Sequence, residues 1–123
     1  MQIEENKPHG KLSVTAYEEG VIEVDAQQYR HPFCLTDSGL HAIEAESPQT
    51  LDAESFLSQI GDSTPPEVIL VGTGNRHSFL HPKITAKLAS RGIGLESMST
   101  AAACRTFMIL QGEGRRVWAW LWP

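Results

Sequence analysis

The residues best placed to do chemistry form a short loop, residues 72–76, which follows an apolar run at 68–71. Such a run predicts a strand buried on both faces, and a glycine-rich turn at its end leaves backbone N–H groups open. These groups can hold an anion, with the guanidinium of Arg76 as counter-charge. The alternative is a tight strand-exit turn, and the pattern leaves both open. The candidate ligand-binding residues are Gly72, Thr73, Gly74, Asn75, Arg76, Thr100 and Arg105.

The loop does not match the known phosphate-binding motifs. A dinucleotide fingerprint needs a third glycine and an immediate helix. Here His77 occupies that position, and the next helix is expected to begin near Pro82. No Gly-Lys-Ser or Gly-Lys-Thr follows the glycines, which excludes a P-loop. The sequence therefore predicts no nucleotide cofactor, and no other cofactor is expected.

Other reactive side chains form no catalytic constellation. His77 and His81 are four residues apart, but Pro82 places both before the helix and no third metal ligand lies near them. Cys104 is expected about four residues inside an apolar helix, which favours a buried structural thiol over a nucleophile. No Gly-x-Ser-x-Gly elbow is present. We expect no metal site and no catalytic residue, so an enzyme is disfavoured but not excluded.

Two sets of residues could instead contact a protein partner. The last strand carries the tryptophan row, Trp118, Trp120 and Trp122, which is either core or an exposed interface patch. The helix after Pro82 carries a basic stripe at i, i+4 and i+8, which is either a solvated face or a docking surface for an acidic partner. The stripe consists of Lys83, Lys87 and Arg91.

Composition limits the remaining choices. The chain has 123 residues, a 41% hydrophobic fraction and a net charge of −5, which predicts one globular α/β domain over residues 11–123 after a flexible leader at 1–10. The acidic balance argues against nucleic-acid binding. The first residues resemble no signal or transit peptide, and no apolar run reaches the ~18 residues of a membrane span. We expect a cytoplasmic monomer or weak homodimer with reduced Cys34 and Cys104.

The first half of the chain has the pattern of β-hairpins. Residues 11–17 and 21–26 alternate between apolar and polar side chains around a turn, and residues 33–36 and 40–43 flank Asp-Ser-Gly. These four segments predict a small antiparallel layer, whereas residues 27–32 are ambiguous. Ala53, Phe56, Leu57 and Ile60 then form one apolar helical stripe.

The second half alternates strands and helices. A strand at 67–72, a helix from Pro82 to about residue 91, a strand at 93–98, a helix from Thr100 and a strand at 117–122 follow in order. The helix from Thr100 is apolar on almost every side, which predicts burial. The expected fold is α/β with three layers: a mixed central sheet covered by about three helices, plus the small antiparallel layer.

Several segments of this half, in their order and spacing, resemble a known family. They are Val71-Gly72-Thr73-Gly74, Arg91-Gly92-Ile93, Thr100 with Ala103-Cys104-Arg105-Thr106-Phe107, and Glu113-Gly114-Arg115-Arg116-Val117. The family is the small domain shared by mitochondrial complex I (NADH dehydrogenase) assembly factor three and the adipogenesis-associated domain proteins. The resemblance implies the three-layer fold, action through protein partners, and no established catalytic residue or cofactor.

The sequence departs from this family at Ser99, at Met108 and in its tryptophan-rich last strand. It looks like a prokaryotic single-domain member. Two functional hypotheses result. The first is a non-enzymatic interaction module that assists assembly of a membrane-associated complex without entering the membrane itself. The second is a small-molecule or anion-binding protein, or an enzyme, that uses the cleft at residues 72–76.

Overall fold

The computed structural model describes residues 11–123; the leader predicted at residues 1–10 lies outside them. The strands are β1 (Val14–Glu18), β2 (Val21–Val24), β3 (Gln27–Tyr29), β4 (Phe33–Thr36), β5 (Gly39–Ala42), β6 (Val68–Gly72), β7 (Gly94–Met98) and β8 (Val117–Leu121). The helices are α1 (Ala53–Ile60), α2 (Pro82–Ala89) and α3 (Thr100–Gly112), with a 3-10 turn at Pro48–Thr50. No helix in this part of the chain is long and apolar enough to cross a membrane.

The strands form two sheets. The central sheet has five strands in the order β5-β4-β8-β6-β7, with β6 parallel to both β7 and β8 and the β4–β5 hairpin antiparallel. The small sheet is antiparallel, in the order β1-β2-β3. The predicted α/β fold, with a mixed central sheet, three helices and a small antiparallel layer, is confirmed. The prediction was wrong about β4 and β5, which extend the central sheet instead of joining the small layer.

The central sheet is buried on both faces, as the apolar runs in β6 and β8 predicted. On one face the tryptophan row packs in a core cluster with Phe56 of α1 and Leu88 of α2. On the other face Leu70 and Ala119 pack in a second cluster with Phe107 of α3 and with the small sheet. Since side chains alternate along a strand, β8 contributes to both halves of the core.

The helix starts follow from local hydrogen bonds. Asp52 begins α1 with a capping box, in which its side chain accepts the Ser55 N–H at 3.0 Å. His81 begins α2, since its Nδ1 accepts the Lys83 N–H at 3.0 Å and Pro82 occupies the first turn. These caps place the helices within a residue or two of the predicted positions.

Two elements differ from the prediction. Strand β3 was not foreseen, because the turn before it uses Asp25 and Ala26 at φ of 50° and 71°, without the glycine that usually marks such a turn. Helix α3 is less buried than its composition indicated. Its inner side carries Ala103, Cys104 and Phe107, whereas Ile109 is 60% exposed.

Candidate functional site

The loop at residues 72–76 begins where β6 meets the start of α3. A Cβ on Gly72 would lie 2.9 Å from the Thr100 Cα and 3.0 Å from the Thr100 Oγ1. No residue with a side chain fits there without displacing backbone. The absence of a side chain at Gly72 therefore lets the start of α3 approach the end of β6.

Two of the N–H groups that could have held an anion, those of Thr73 and Gly74, are already engaged. The Thr73 N–H donates to the Met98 carbonyl at 2.9 Å, and the Gly74 N–H donates to the Thr100 Oγ1 at 2.7 Å. The Thr100 N–H donates back to the Gly74 carbonyl at 2.8 Å. These bonds tie the loop to the end of β7 and to the start of α3, at the edge of the sheet where α/β proteins usually bind ligands.

The Thr100 side chain is equally committed. It is fully buried, and its hydroxyl donates to the Trp122 carbonyl at 2.6 Å while accepting the Gly74 N–H. Thr100 thus joins three chain segments and presents no free hydroxyl to a ligand. The interpretation of Thr100 as a ligand-binding residue is wrong, because its hydroxyl donates to a backbone carbonyl and its side chain is inaccessible to solvent.

The side chain of Thr73 shapes the rest of the loop. Its Oγ1 donates to the Arg76 carbonyl at 2.7 Å and accepts the Ser78 N–H at 2.9 Å. Asn75 and Arg76 are exposed at the outer rim. This arrangement is that of a tight, internally bonded turn, which was the alternative to an anion cradle.

Arg105 lies away from this loop. It is exposed on α3 and lines a cleft together with Ala16 and Tyr17 of β1 and with Cys104. It follows Thr100 by five residues on the helix, a rise of about 7.5 Å along the axis. The structure therefore does not bring Arg105 together with residues 72–76 as a single pocket.

The tryptophan row belongs to the core. Trp118, Trp120 and Trp122 are 2%, 3% and 6% exposed. Trp120 packs against Phe56 of α1 with ring centroids 5.1 Å apart, and the Trp122 indole N–H donates to the Ala45 carbonyl at 3.1 Å. The interpretation of the row as an exposed interface is wrong, because α1 and the segment before it cover the sheet on that face.

The two cysteine thiols do not suit nucleophilic chemistry. Burial raises the pKa of the Cys34 thiol to about 12 and that of the Cys104 thiol to about 11. Both are free and buried, so each is a neutral thiol near pH 7. Within residues 11–123 no group of His, Cys, Asp or Glu is placed to hold a metal ion.

Among residues 11–123, the most exposed large apolar side chain is one that the sequence did not indicate. Phe79, in the segment between residues 72–76 and α2, is 79% exposed. Its ring packs on the imidazole of His77 at 4.3 Å between centroids, and the His77 Nε2 lies 3.0 Å from the Ser97 Oγ. The only available signal was a phenylalanine in a polar stretch just before a proline-started helix, which is too common to identify a surface.

The chain around Phe79 has an unusual charge distribution. Residues 68–95 contain four basic residues and no Asp or Glu, so their formal charge is +4. Since the whole chain carries −5, the remaining residues carry −9. Lys83, Lys87 and Arg91 of the predicted basic stripe are all exposed, whereas Ile84 and Leu88 face the core. We use the name Phe79 surface for five exposed residues of this stretch of chain: Arg76, His77, Phe79, Lys83 and Lys87.

A groove adjoins this surface. It has a volume of about 410 Å³ and is lined by Phe79, Leu80, Pro82 and Ile84 on one side and by the 3-10 turn with Leu51 on the other. It exposes polar and apolar atoms in similar amounts and is open to solvent. This stretch of chain therefore carries an exposed aromatic ring beside a groove, followed by a helix with exposed basic residues.

Known proteins share both the sequence and the fold. The chain is 42% identical over 112 residues to NADH dehydrogenase (ubiquinone) 1 alpha subcomplex assembly factor 3 of Bos taurus, which is 91% of this chain and 61% of the bovine protein. The Mus musculus protein of that name is 44% identical over 57 residues, only 31% of its length. The 13 kDa major membrane protein of Francisella tularensis is 28% identical over 120 residues, 95% of each chain.

Solved structures agree. A crystal structure of a Bordetella parapertussis protein superposes with a TM-score of 0.84 at 37% identity, covering 94% of this chain and 99% of that one. A Bordetella pertussis protein described as a Mth938-like domain gives 0.77 at 30% identity, covering 98% and 91%. A family profile described as "Protein of unknown function (DUF498/DUF598)" matches residues 14–122. The chain belongs to this family.

Proposed function

We propose that this protein is a non-enzymatic interaction module, and that its Phe79 surface binds an acidic segment of a partner protein that carries an apolar anchor residue. The observation that carries the proposal is the 79% exposure of Phe79 within a stretch of chain that has four basic residues and no acidic ones. Aromatic residues, phenylalanine among them, are enriched at protein interfaces relative to the rest of the protein surface.

Charge complementarity supports the choice of partner. A basic helix face attracts acidic segments and raises their rate of encounter, while burial of an apolar side chain supplies most of the affinity. The groove beside Phe79 offers room for that side chain. The relatives named as assembly factors for NADH dehydrogenase support a role in which binding, not chemistry, is the activity. Assistance in assembling a membrane-associated complex is the finer form of the proposal.

The site at residues 72–76 gives less support to a small-molecule function. Its Thr73 and Gly74 N–H groups and the Thr100 hydroxyl are consumed by internal bonds. An interaction surface needs none of these groups. The geometry therefore favours the partner-binding hypothesis over the ligand-binding one.

The test is capture of partners from the source cells with tagged wild-type protein and two matched variants. Phe79→Ala removes the exposed ring of the surface, and Ile109→Ala removes a second exposed large apolar side chain, on α3. We expect a stoichiometric protein partner with wild type and Ile109→Ala. Loss of a central aromatic anchor costs about 2 kcal/mol or more, so the Phe79→Ala complex should be roughly thirtyfold weaker.

A charge variant tests the chemistry of the partner. Lys83→Glu with Lys87→Glu should abolish capture, and the captured protein should contain an acidic, apolar segment whose synthetic peptide competes for binding. The proposal is overturned if only the free protein is recovered, or if Phe79→Ala and Ile109→Ala behave alike.

A further inference from the structure

A second cleft lies at the opposite end of the parallel strands, where the end of β4, the last turn of α3 and the start of β8 meet. Its volume is about 350 Å³. Leu35, Phe107 and Val117 form an apolar floor and are at most 7% exposed. Lys11 and Arg115 line its exposed rim, and Arg116 lies half-buried beside them. We call this the arginine cleft; it shares no residue with the Phe79 surface.

The guanidinium of Arg116 is only partly satisfied. Its Nη2 pairs with the Asp37 carboxylate and donates to the Thr64 carbonyl at 2.8 Å. Its Nε is buried and has no hydrogen-bond partner in residues 11–123. A buried N–H of a charged group is one of the costliest groups to leave unbonded, so the guanidinium that lines this cleft is incompletely paired.

The rim also keeps a surplus of positive charge. The Arg115 Nε donates to the Glu67 Oε1 at 3.1 Å, and Lys11 forms no ion pair with another described residue. The three cations of the rim therefore face two carboxylates, Asp37 and Glu67, which leaves a formal charge of +1 in a chain whose total is −5. The Gln111 amide, which donates to the Leu12 carbonyl at 3.2 Å, adds a polar wall.

We propose that the arginine cleft binds a small amphipathic carboxylate. The apolar body of the ligand lies on Leu35, Phe107 and Val117, and its carboxylate accepts hydrogen bonds from the guanidinium groups. A planar carboxylate matches the donor fork of arginine, whereas an inorganic anion would leave the apolar floor uncovered. The volume is near the lower end of the ~300–1,000 Å³ typical of ligand pockets, which favours a short chain or a single ring.

The experiment is an NMR titration of the 15N-labelled full chain with octanoate. Acetate, which has the carboxylate without the tail, and octan-1-ol, which has the tail without the carboxylate, are the two control ligands. Octanoate should shift the amide resonances of residues 35–37 and 107–117 and bind at least tenfold more tightly than either control. Binding by octan-1-ol of equal strength would overturn the assignment of a carboxylate.

A pair of charge-matched variants locates the site. Lys11→Gln with Arg115→Gln removes two positive charges from the rim, and Lys83→Gln with Lys87→Gln removes two from α2. Both are exposed substitutions, and the amide spectrum of each variant reports its fold directly. The rim variant should bind octanoate at least fivefold more weakly than wild type, and the α2 variant should bind it with unchanged affinity. Equal effects of the two variants, or octanoate shifts outside residues 35–37 and 107–117, would overturn the proposal.

Discussion

Gly72 and Thr100 are in backbone contact: a Cβ on Gly72 would stand 2.9 Å from the Thr100 Cα. This approach lets the Thr100 hydroxyl reach both the Gly74 N–H and the Trp122 carbonyl. One close contact thus ties the end of β6, the start of α3 and the end of β8 together. The loop at residues 72–76, which the sequence indicated as a candidate ligand site, thus forms a structural junction between the central sheet and α3.

The first prediction concerns that contact. Gly72→Ala should lower the free energy of unfolding by ~1–3 kcal/mol, because the new methyl group must displace backbone. Gly94→Ala is the matched control at the start of β7, where a Cβ meets nothing closer than 3.6 Å. Urea denaturation of both variants measures the difference. Similar losses of stability for the two would contradict a steric requirement at Gly72.

The second prediction concerns the hydroxyl of Thr100. Thr100→Val keeps the shape of the side chain but leaves the Gly74 N–H and the Trp122 carbonyl without their partner, at a cost of ~1–3 kcal/mol for each buried group. We expect a total loss of about 2–4 kcal/mol. Thr106→Val, also on α3 and without a side-chain hydrogen bond in the described residues, should change stability by less than ~1 kcal/mol. An equal loss of stability with Thr106→Val would show that the hydrogen bonds of the Thr100 hydroxyl do not account for the effect.

The sequence predicted the strand-helix alternation well because the apolar periods in β6, α1 and α2 are strong and flanked by proline or glycine. It left two questions open that depend on tertiary packing. Whether residues 72–76 expose or consume their N–H groups depends on Thr100, 26 residues away from Gly74. Whether the tryptophan row is exposed depends on α1 covering the sheet. Neither relation is encoded in a local pattern.

The surface was harder to predict than the core. Burial follows hydrophobic periodicity, but the exposure of Phe79 does not, because a single aromatic residue before α2 has no period. The basic stripe on α2 was predicted correctly as exposed, since Ile84 and Leu88 fix which side of the helix faces inward. The arginine cleft joins Leu35 to Val117, and sequence alone gives no register between such distant strands.

The third prediction separates the Phe79 surface from the tryptophan core. Phe79→Ala should leave the free energy of unfolding within ~0.5 kcal/mol of wild type, because the ring is already solvated. Trp120→Ala should cost ~3–5 kcal/mol, because its indole is 3% exposed and packs on Phe56. Chemical denaturation of the two variants makes the comparison. A large loss with Phe79→Ala would mean that the ring supports the fold and would remove it as a dedicated binding residue.

The fourth prediction concerns the thiols. Burial raises the pKa of Cys34 from its ordinary value of 9.0 to about 12, and that of Cys104 to about 11. Native protein at pH 8 should therefore react slowly with Ellman's reagent, and denatured protein should release two equivalents at once. Rapid reaction of either thiol in the native state would contradict the burial of that side chain.

The raised pKa values of the two thiols also make the free energy of unfolding depend on pH. A group whose pKa is higher in the native than in the unfolded state stabilises the native protein fully below the unfolded value. That contribution is lost as pH rises through the native value. Stability should thus decline from about pH 9 toward pH 11–12. Cys34→Ala with Cys104→Ala should flatten this alkaline limb in urea titrations at successive pH values, and an unchanged slope would assign the decline to other groups.

The fifth prediction concerns Glu67 at the edge of the arginine cleft. The hydrogen bond from the Arg115 side chain, with that from the Arg116 N–H, lowers the pKa of the Glu67 carboxyl below its ordinary value of 4.5. A lowered pKa means that this carboxylate stabilises the native state above the unfolded value, and that the contribution fades as pH falls through the native value. NMR titration of the Glu67 carboxyl should show the shift, and Arg115→Gln should move it back toward 4.5. Because the carboxyl is exposed, high salt should also reduce the shift of its pKa. If neither Arg115→Gln nor high salt changes the pKa of Glu67, the pair with Arg115 does not form in solution.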